Sequence, residues 1–185
     1  DRLLGVLLFI VFLPVMLLIA ALVKWKMGGP VLFKQHRHGI DGKCFRIYKF
    51  RTMANHQAKH TQQATHGDPR ITPLGALLRR TSLDELPQLY NVLQGRMSLV
   101  GPRPHALDHN QYYKGVIQNY MQRHRVKPGM TGWAQVNGYR GNTDTLEQMQ
   151  KRVEFDLYYI DSWSLGFDLK ILAMTLTRGF INRKP

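Results

Sequence analysis

The sequence has few acidic residues and a single cysteine. Its 185 residues include 12 Asp and Glu against 26 Lys and Arg, which gives a formal net charge of +14. A surface of this kind attracts polyanions, namely nucleic acid, an anionic membrane face or a phosphorylated substrate. Cys44 is the one cysteine, so an internal disulfide is excluded, which is consistent with a reducing compartment. The length corresponds to one ordinary domain, or to a small domain with an attached segment.

Charge is also missing from residues 3–23, which form an apolar run of 21 residues. A helix rises about 1.5 Å per residue, so this run reaches roughly 30 Å, the thickness of a bilayer's hydrocarbon core. Pro14 lies in the middle of the run and predicts a sharp kink, because it removes one backbone hydrogen bond. Two paths follow: a kinked helix that spans the membrane, or a helix–break–helix that enters and leaves on the same face. These residues alone slightly favour spanning, because many spanning helices tolerate proline.

The segment that follows the apolar run is strongly basic. Between residues 24 and 51 there are eight Lys and Arg against one acid, Asp41. This bias predicts that the flank, and the domain after it, lie on the cytoplasmic side of the membrane. Basic residues near the surface also attract anionic lipid head groups, by about 1 kcal/mol each. We therefore expect the globular part of the chain to be bound to a membrane face.

The rest of the chain predicts a mainly α domain with a small β element. Residues 31–53 are typical of extended structure around a turn at 39–42, and residues 54–68 lack apolar periodicity, which is typical of a loop. The glycine-rich residues 126–140 predict a tight loop near a ligand, although tight turns alone would give the same composition. Apolar periodicity predicts helices over residues 74–80, 86–93, 111–125, 146–160 and 165–180. The last of these is amphipathic, and it either packs on the core or lies in the membrane interface.

An adjacent acidic pair stands alone in a stretch rich in arginine. Between residues 69 and 107 the only acids are Asp84 and Glu85, whereas five arginines share that stretch. This arrangement suits chemistry on a phosphate, because a carboxylate can attack phosphorus or hold a metal while cations neutralise the substrate's charge. A structural interpretation also fits, since Ser82-x-x-Glu85 has the spacing of a capping box.

Pro87 bears on the choice between these two interpretations. Proline is tolerated in the first turn of a helix but not deeper, so we expect the helix to begin near Glu85 or Leu86. A helix that began there would weaken the capping-box interpretation. It would place Asp84 and Glu85 at a helix N-terminus, where free backbone N–H groups and the helix dipole attract a phosphate.

Five motifs occur in one order along the chain. They are KFRTM (49–53), DPRITPLG (68–75), LRRTSLDELPQL (78–89), GPRP (101–104) and KPGMTGWAQVNG (127–138). Together they closely resemble the bacterial sugar transferase family, the monotopic polyprenyl-phosphate phosphoglycosyl transferases, from residue 1 to about residue 180. The resemblance implies that a UDP-sugar gives its sugar-1-phosphate, with glucose as the expected sugar, to the enzyme and releases UMP. Undecaprenyl phosphate in the membrane then accepts the sugar phosphate, as the first membrane step of exopolysaccharide, capsule or colanic acid synthesis.

The same resemblance implies roles for individual residues. Asp84 would be the nucleophile that carries a covalent phosphosugar, and Glu85, together with Asp84, would bind Mg²⁺. The chemistry is consistent, since a carboxylate is ionised at neutral pH and Mg²⁺ with arginines can stabilise a charged phosphoryl transition state. The residues expected to contact phosphate are Arg79 and Arg103, with Lys49 and Arg51 as weaker candidates. The residues expected to form a loop near the active site and the nucleotide are Trp133, Gln135 and Asn137.

The resemblance also implies a membrane topology, which replaces the preference for spanning. Residues 1–25 would form a re-entrant helix broken near Pro14 with both ends cytoplasmic, and residues 26–185 a compact catalytic domain with interfacial amphipathic helices on the cytoplasmic face of the bacterial inner membrane. Leu13 stands where the family often has serine, whose hydroxyl can help to stabilise such a break. The start at Asp1 suggests the C-terminal part of a longer protein.

One alternative function is a non-catalytic, basic module that is tethered to the membrane and binds lipid or nucleic acid. Such a module would tolerate loss of the acidic pair. If the chain is a sugar transferase, no nucleic acid is expected as a partner.

Overall fold

The computed structural model of the chain describes residues 1–54, 68–141 and 145–179. These residues form mainly helices with two small sheets, so the predicted class is confirmed. The predicted loop over residues 54–68 lies almost entirely outside the described residues. The helices are α1 (Arg2–Met27), α2 (Pro73–Arg80), α3 (Gln88–Leu93), α4 (Leu107–Val116), α5 (Trp133–Val136), α6 (Leu146–Asp161) and α7 (Leu165–Met174). The strands are β1 (Leu32–His38), β2 (Cys44–Phe50), β3 (Ser98–Val100) and β4 (Gly129–Thr131).

The N-terminal helix α1 contains the apolar run. Its most apolar 18-residue window has a mean hydropathy of 3.2, and only 17% of that window is buried. Met16, Ile19 and Val23 join the protein core. The other faces expose large apolar side chains, among them Leu3, Leu7, Ile10, Leu17 and Leu18. A core helix of a water-soluble protein would be mostly buried, so this surface indicates association with a membrane.

Proline does not interrupt α1. The helix continues through Pro14 as far as Met27, so the expected break does not divide it into two helices. At its C-terminal end the guanidinium of Arg51 donates hydrogen bonds to the carbonyls of Met27, Gly28 and Gly29. A cation is favourable there because the last carbonyls of a helix are unsatisfied and carry partial negative charge. Arg51 therefore fastens the end of α1 to the segment that follows β2.

The local sequence pattern predicted one of the two sheets and missed the other. Strands β1 and β2 pair antiparallel, with Leu32 opposite Phe50 and His38 opposite Cys44, and a short 3₁₀ turn joins them. This hairpin confirms the extended region and its turn. Strands β3 and β4 pair in parallel, with Ser98 opposite Gly129, and no local pattern predicted that contact.

The main core lies between α1, the hairpin, α2, α3 and β3. Its buried members include Phe45, Ile47, Leu78, Leu86, Leu89, Val92 and Leu99. Each such side chain stabilises the fold by about 1.5–3 kcal/mol when fully buried. Leu78 lies on α2, and Leu86 and Leu89 lie on the far side of the acidic pair, so both flanks of the pair are anchored in the core.

Two predicted helices begin or end elsewhere. The helix expected over residues 111–125 is α4 followed by a separate 3₁₀ segment, Tyr120–Arg125. Ile117 ends α4 with an extended backbone, φ −116° and ψ 120°, and Asn119, which precedes the 3₁₀ segment, has a left-handed conformation with φ 60°. Ile117 and Tyr120 are buried in a second small apolar cluster. The final helix is regular from Leu165 to Met174 and continues as a π-turn to Gly179. The helices predicted over 74–80 and 146–160 are confirmed by α2 and α6.

Candidate active site

The acidic pair lies on a single 3₁₀ turn, Leu83–Glu85, between α2 and α3. Ser82 precedes the turn in a left-handed conformation, φ 59°, and its side chain does not cap it. The capping-box interpretation is therefore wrong. The helix-terminus interpretation is also wrong, because α3 begins only at Gln88, after Pro87. The turn closes on itself instead, since the N–H of Glu85 donates to the carbonyl of Ser82 at 3.1 Å.

The Glu85 carboxylate is surrounded by three cations from distant parts of the chain. Nζ of Lys49 on β2 donates to Oε1 at 2.8 Å. The guanidinium of Arg103 binds both oxygens, with Nη1 at 3.1 Å from Oε2 and Nη2 against Oε1. Arg140 places Nη2 3.9 Å from Oε2. We call these four residues the Glu85 cluster.

Burial alone would raise the pKa of Glu85, but its cationic neighbours prevail. Arg103, Lys49 and Arg140 together hold the pKa of that carboxyl well below its usual range, with Arg103 contributing most. The glutamate side chain is 11% exposed, so these attractions act where solvent screens them little. Glu85 is therefore ionised throughout the physiological pH range and fully engaged by its partners.

Asp84 is as buried as Glu85 but differs from it in its hydrogen bonds and in the direction of its pKa shift. It is 8% exposed, and none of the residues that the structure describes forms a hydrogen bond or ion pair with its carboxylate. Burial, followed by the negative charge of Glu85, raises the pKa of Asp84 to about 6, against the opposing effect of Lys49, Arg79 and Arg103. A buried carboxylate without a partner is less stabilised by hydrogen bonds than one in water, so it remains available to react.

Two further cations influence the pair without contacting it. Arg79 on α2 donates from Nε to Oγ1 of Thr52 at 2.9 Å, and its charge acts on Asp84 at longer range. Arg37 on β1 interacts electrostatically with Arg103 and Glu85. Burial lowers the pKa of Arg37 to about 10. The predicted phosphate-binding residues Arg79, Arg103 and Lys49 are therefore brought together around the pair.

Other predicted site residues are not brought into the cluster. The guanidinium of Arg51 donates to carbonyls at the end of α1 and is not brought to the acidic pair. Trp133 packs edge-on against Phe167 with ring centroids 4.9 Å apart. Gln135 is buried and donates to the carbonyl of Met130, and Asn137 donates to the carbonyl of Trp133. In the described structure these three side chains thus shape their own loop.

The backbone of that loop helps to build the site, because it packs against Gly101 and ends at Arg140, which contacts Glu85. A Cβ on Gly132 would lie 2.2 Å from the carbonyl oxygen of Gly101, and one on Gly129 would lie 2.1 Å from its nitrogen. This close approach packs the residues 126–140 against the Gly-Pro-Arg-Pro turn. Arg140, at the end of the loop, then reaches Glu85. Sequence reasoning missed Arg140 and Arg37, and the one available signal was a basic residue at the end of a glycine-rich loop.

The donor atoms of the pair suit Mg²⁺ better than a transition metal. Within residues 1–54, 68–141 and 145–179 no group of three or more His, Cys, Asp and Glu side chains could hold a metal alone. Mg²⁺ usually binds one or two carboxylates and completes its shell with water and substrate phosphates. Asp84 has oxygens that no described residue binds, whereas Glu85 would have to share its oxygens between its cations and the ion. The residues fit a Mg²⁺ ion that arrives with a phosphorylated substrate.

Residues 1–182 match the bacterial sugar transferase family. The chain belongs to this family. It is 55% identical over 184 residues to the UDP-glucose:undecaprenyl-phosphate glucose-1-phosphate transferase of Escherichia coli (strain K12), across 99% of this chain and 40% of that protein. It is 54% identical over 180 residues to the protein of the same name from Xanthomonas campestris pv. campestris, across 96% of this chain and 37% of that protein.

A more distant relative differs in the sugar that its name gives. The UDP-N-acetylgalactosamine-undecaprenyl-phosphate N-acetylgalactosaminephosphotransferase of Aeromonas hydrophila is 43% identical over 178 residues, across 95% of this chain and 41% of that protein. The chain thus spans about two fifths of the length of these relatives. Family membership and the exposed apolar helix α1 agree in indicating a membrane-associated protein.

Proposed function

We propose that the chain transfers a sugar-1-phosphate from a UDP-sugar to undecaprenyl phosphate by way of a covalent intermediate on Asp84. The observation that carries the proposal is the contrast within the acidic pair: Glu85 is engaged by three cations, whereas adjacent Asp84 is buried and has no hydrogen-bond or ion-pair partner among the described residues. A residue that only supported the fold would be expected to be paired, because burying an unpaired carboxylate is costly. The basic charge of the site suits a diphosphate substrate.

In the first step a carboxylate oxygen of Asp84 attacks the phosphorus that bears the sugar. The bond between that phosphorus and the bridging oxygen breaks, and UMP leaves with the bridging oxygen. In the second step a phosphate oxygen of undecaprenyl phosphate attacks the same phosphorus, and the bond to Asp84 breaks. Both attacking oxygens are anionic, so no general base is needed, and Arg79, Arg103 and Lys49 neutralise charge on the phosphoryl oxygens.

Mg²⁺ would be held by Asp84 and Glu85 together with the substrate's phosphates. When bound, it would withdraw negative charge from the diphosphate and make UMP a better leaving group. The protein's own part is to supply the oxygen donors and the surrounding cations. Titration of UMP release with Mg²⁺ and with EDTA tests this assignment, and undiminished release after EDTA treatment would contradict it.

Glucose is the sugar that the relatives favour. Three relatives above 50% identity are named for UDP-glucose, whereas a relative at 43% is named for an N-acetylated sugar. For topology we propose that α1, which is continuous through Pro14 in the described structure, bends at Pro14 in the membrane and leaves on the face that it entered, with the catalytic part on the cytoplasmic face of the bacterial inner membrane. The basic flank after α1 supports the cytoplasmic side, since positive residues are retained there.

The test is UMP release and transfer of labelled sugar phosphate, with undecaprenyl phosphate in vesicles and a panel of UDP-sugars. The parent protein should show its highest kcat/KM with UDP-glucose, and a label in the sugar phosphate should become attached to the protein before acceptor is added. The label should be lost in Asp84→Asn and kept in Asp161→Asn, whose side chain is 68% exposed and lies at the end of α6. Labelling of Asp84→Asn would overturn the nucleophile. Absence of UMP release from every UDP-sugar would overturn the reaction.

A further inference from the structure

Arg103 is held at its backbone as well as at its side chain. While its guanidinium binds Glu85, its main-chain carbonyl accepts a hydrogen bond from Nη2 of Arg123 at 2.7 Å. Arg123 lies on the 3₁₀ segment after α4 and is 3% exposed. It has no contact with the acidic pair among the described residues. Its position behind Arg103 therefore calls for a different explanation from substrate binding.

The remaining nitrogens of Arg123 are also used. Nε donates to Oδ2 of Asp156 on α6 at 2.7 Å, and both side chains of this ion pair are 2% exposed. Nη1 lies 2.9 Å from Nδ1 of His105, which itself lies 2.6 Å from the hydroxyl of Tyr120. A guanidinium is a planar fork of donors, so three partners in three directions fix its orientation. The carbonyl of Arg103 is thus bound by a donor that cannot rotate away.

Stability alone is a poor explanation for such a buried pair. Removing two charges from water is expensive, and buried ion pairs can often be replaced by apolar residues without loss of stability. Burying Arg123 and Asp156 is easier to explain if their geometry is needed elsewhere. The contact that they provide to the active site is the one to the backbone of Arg103.

Two other buried contacts follow the same pattern. Nη1 of Arg37 donates to the carbonyl of Pro104, the residue after Arg103, at 3.1 Å. Nη2 of Arg152 on α6 donates to the carbonyl of Gly141, the residue after Arg140, at 2.7 Å. Arg103 and Arg140 both contact Glu85, and each is held at its own backbone or at the next residue by a different arginine. Arg123 and Arg37 hold Arg103 in this way, and Arg152 holds Arg140.

We propose that Arg123 is a positioning residue for the reaction, which holds the backbone of Arg103 through its buried pair with Asp156 so that the Arg103 guanidinium faces the acidic pair. The inference rests on the proposed function, because Arg103 is taken to act on the substrate's phosphate. With its backbone fixed, the side chain of Arg103 needs to move only a short way from Glu85 to a phosphoryl oxygen. With the backbone released, the same side chain would spend less time in that position.

The test replaces Arg123 by lysine, which keeps the positive charge and can pair with Asp156 but cannot reach three partners at once. We expect kcat/KM for UDP-glucose to fall about 10–100-fold, because a 1 Å displacement of an active-site group can cost about 100-fold. The matched control is Arg125→Lys, on the same 3₁₀ segment, because Arg125 forms an exposed pair with Asp161 at 3.6 Å and does not contact Arg103. Its kcat/KM should change by less than about twofold.

A double-mutant cycle separates positioning from general support of the fold. In an Arg103→Ala background, Arg123→Lys should lower kcat/KM by less than about twofold, because the side chain that it positions is gone. Equal losses in both backgrounds would overturn the proposal, and so would an Arg123→Lys protein with the kcat/KM of the parent. If Arg123→Lys does not fold, the same cycle is run with Arg123→Gln combined with Asp156→Asn, which removes both charges of the buried pair together.

Stabilisation of the protein by pyrophosphate tests the positioning role of Arg123 separately from the proposed reaction. Inorganic pyrophosphate should raise the melting temperature of the parent, and it should raise that of Arg123→Lys by a smaller amount. In the Arg103→Ala background, pyrophosphate should raise the melting temperature equally with and without Arg123→Lys. If the parent releases no UMP from UDP-glucose, the proposed reaction fails while this cycle still tests the positioning. A rise in melting temperature that is the same in the parent and in Arg123→Lys would then overturn it.

Discussion

Replacing Asp84 by asparagine should abolish turnover and, at neutral pH, stabilise the protein. The carboxylate is buried beside the negative charge of Glu85, and none of the described residues bonds to it. An amide of nearly the same shape removes the buried charge and the repulsion. Residues shaped for reaction commonly reduce stability in this way, and substitutions that remove the function relieve it.

The size and pH range of the effect follow from the pKa of Asp84. Burial, and then Glu85, raise that pKa from 3.8 to about 6, so folding disfavours the ionised form. This corresponds to at most about 3 kcal/mol. The cost to the parent is fully present above about pH 6, shrinks as the pH falls toward 3.8, and is absent below that value. The amide does not titrate, so the two proteins should converge in stability as the pH falls.

Thermal unfolding of the parent and of Asp84→Asn at pH 8 and at pH 4 measures the difference. For a chain of this size about 1 kcal/mol corresponds to roughly 2–4 °C, so Asp84→Asn should melt several degrees higher at pH 8 and close to the parent at pH 4. Asp161→Asn is the control, because Asp161 is exposed and its melting difference should be small at both pH values. A lower melting temperature for Asp84→Asn at pH 8 would refute the description of Asp84 as a buried, unpaired carboxylate.

Four further predictions concern the site and its supports. The rate of UMP release should fall tenfold per pH unit below about pH 6, as Asp84 is protonated; a rate that is flat down to pH 5 would contradict this. Glu85→Gln should lose activity and also about 3–5 kcal/mol of stability in urea unfolding, because three cations lose their counter-charge. Arg51→Ala should lower stability by about 1–3 kcal/mol while KM for the UDP-sugar changes less than twofold; a large rise in KM would restore its predicted contact with phosphate. Gly132→Ala should lower the melting temperature and the activity, since its Cβ would meet the Gly101 carbonyl at 2.2 Å, whereas Gly166→Ala, with nothing within 4 Å, should not.

The parts of the fold that were predictable are those set by local pattern. The hairpin of β1 and β2 follows from apolar strands around a glycine turn, and α2 and α6 follow from apolar periodicity with Thr72 and Thr145 as N-caps. The start of α3 was missed because Pro87 serves as its N-cap and the residues before it form a 3₁₀ turn. The end of α4 was missed because Ile117 continues the apolar pattern of the helix although its backbone is extended.

The site itself was predictable only in its centre. Asp84, Glu85 and Arg103 stand out in sequence because acids are scarce there and prolines flank the arginine. Arg140 reaches Glu85 only through the parallel pairing of β3 with β4 and the contact of Gly132 with Gly101, which no local spacing encodes. The role of Arg51 likewise depends on where the carbonyls of α1 end.

The different environments of Asp84 and Glu85 arise from the turn that carries them. In a 3₁₀ turn successive side chains are about 120° apart, so adjacent residues face different surroundings. Glu85 faces Lys49, Arg103 and Arg140, and in the absence of substrate its charge keeps these cations together without mutual repulsion. Asp84 forms no hydrogen bond with these donors, although the charges of Lys49 and Arg103 act on it, and it keeps a reactive carboxylate. A diphosphate that entered beside Asp84 would offer the same arginines a second anion, so binding would require them only to be shared with Glu85. The glutamate thus prepares the site for the substrate's charge, and the aspartate, to which none of the described residues bonds, is the carboxylate available to attack phosphorus.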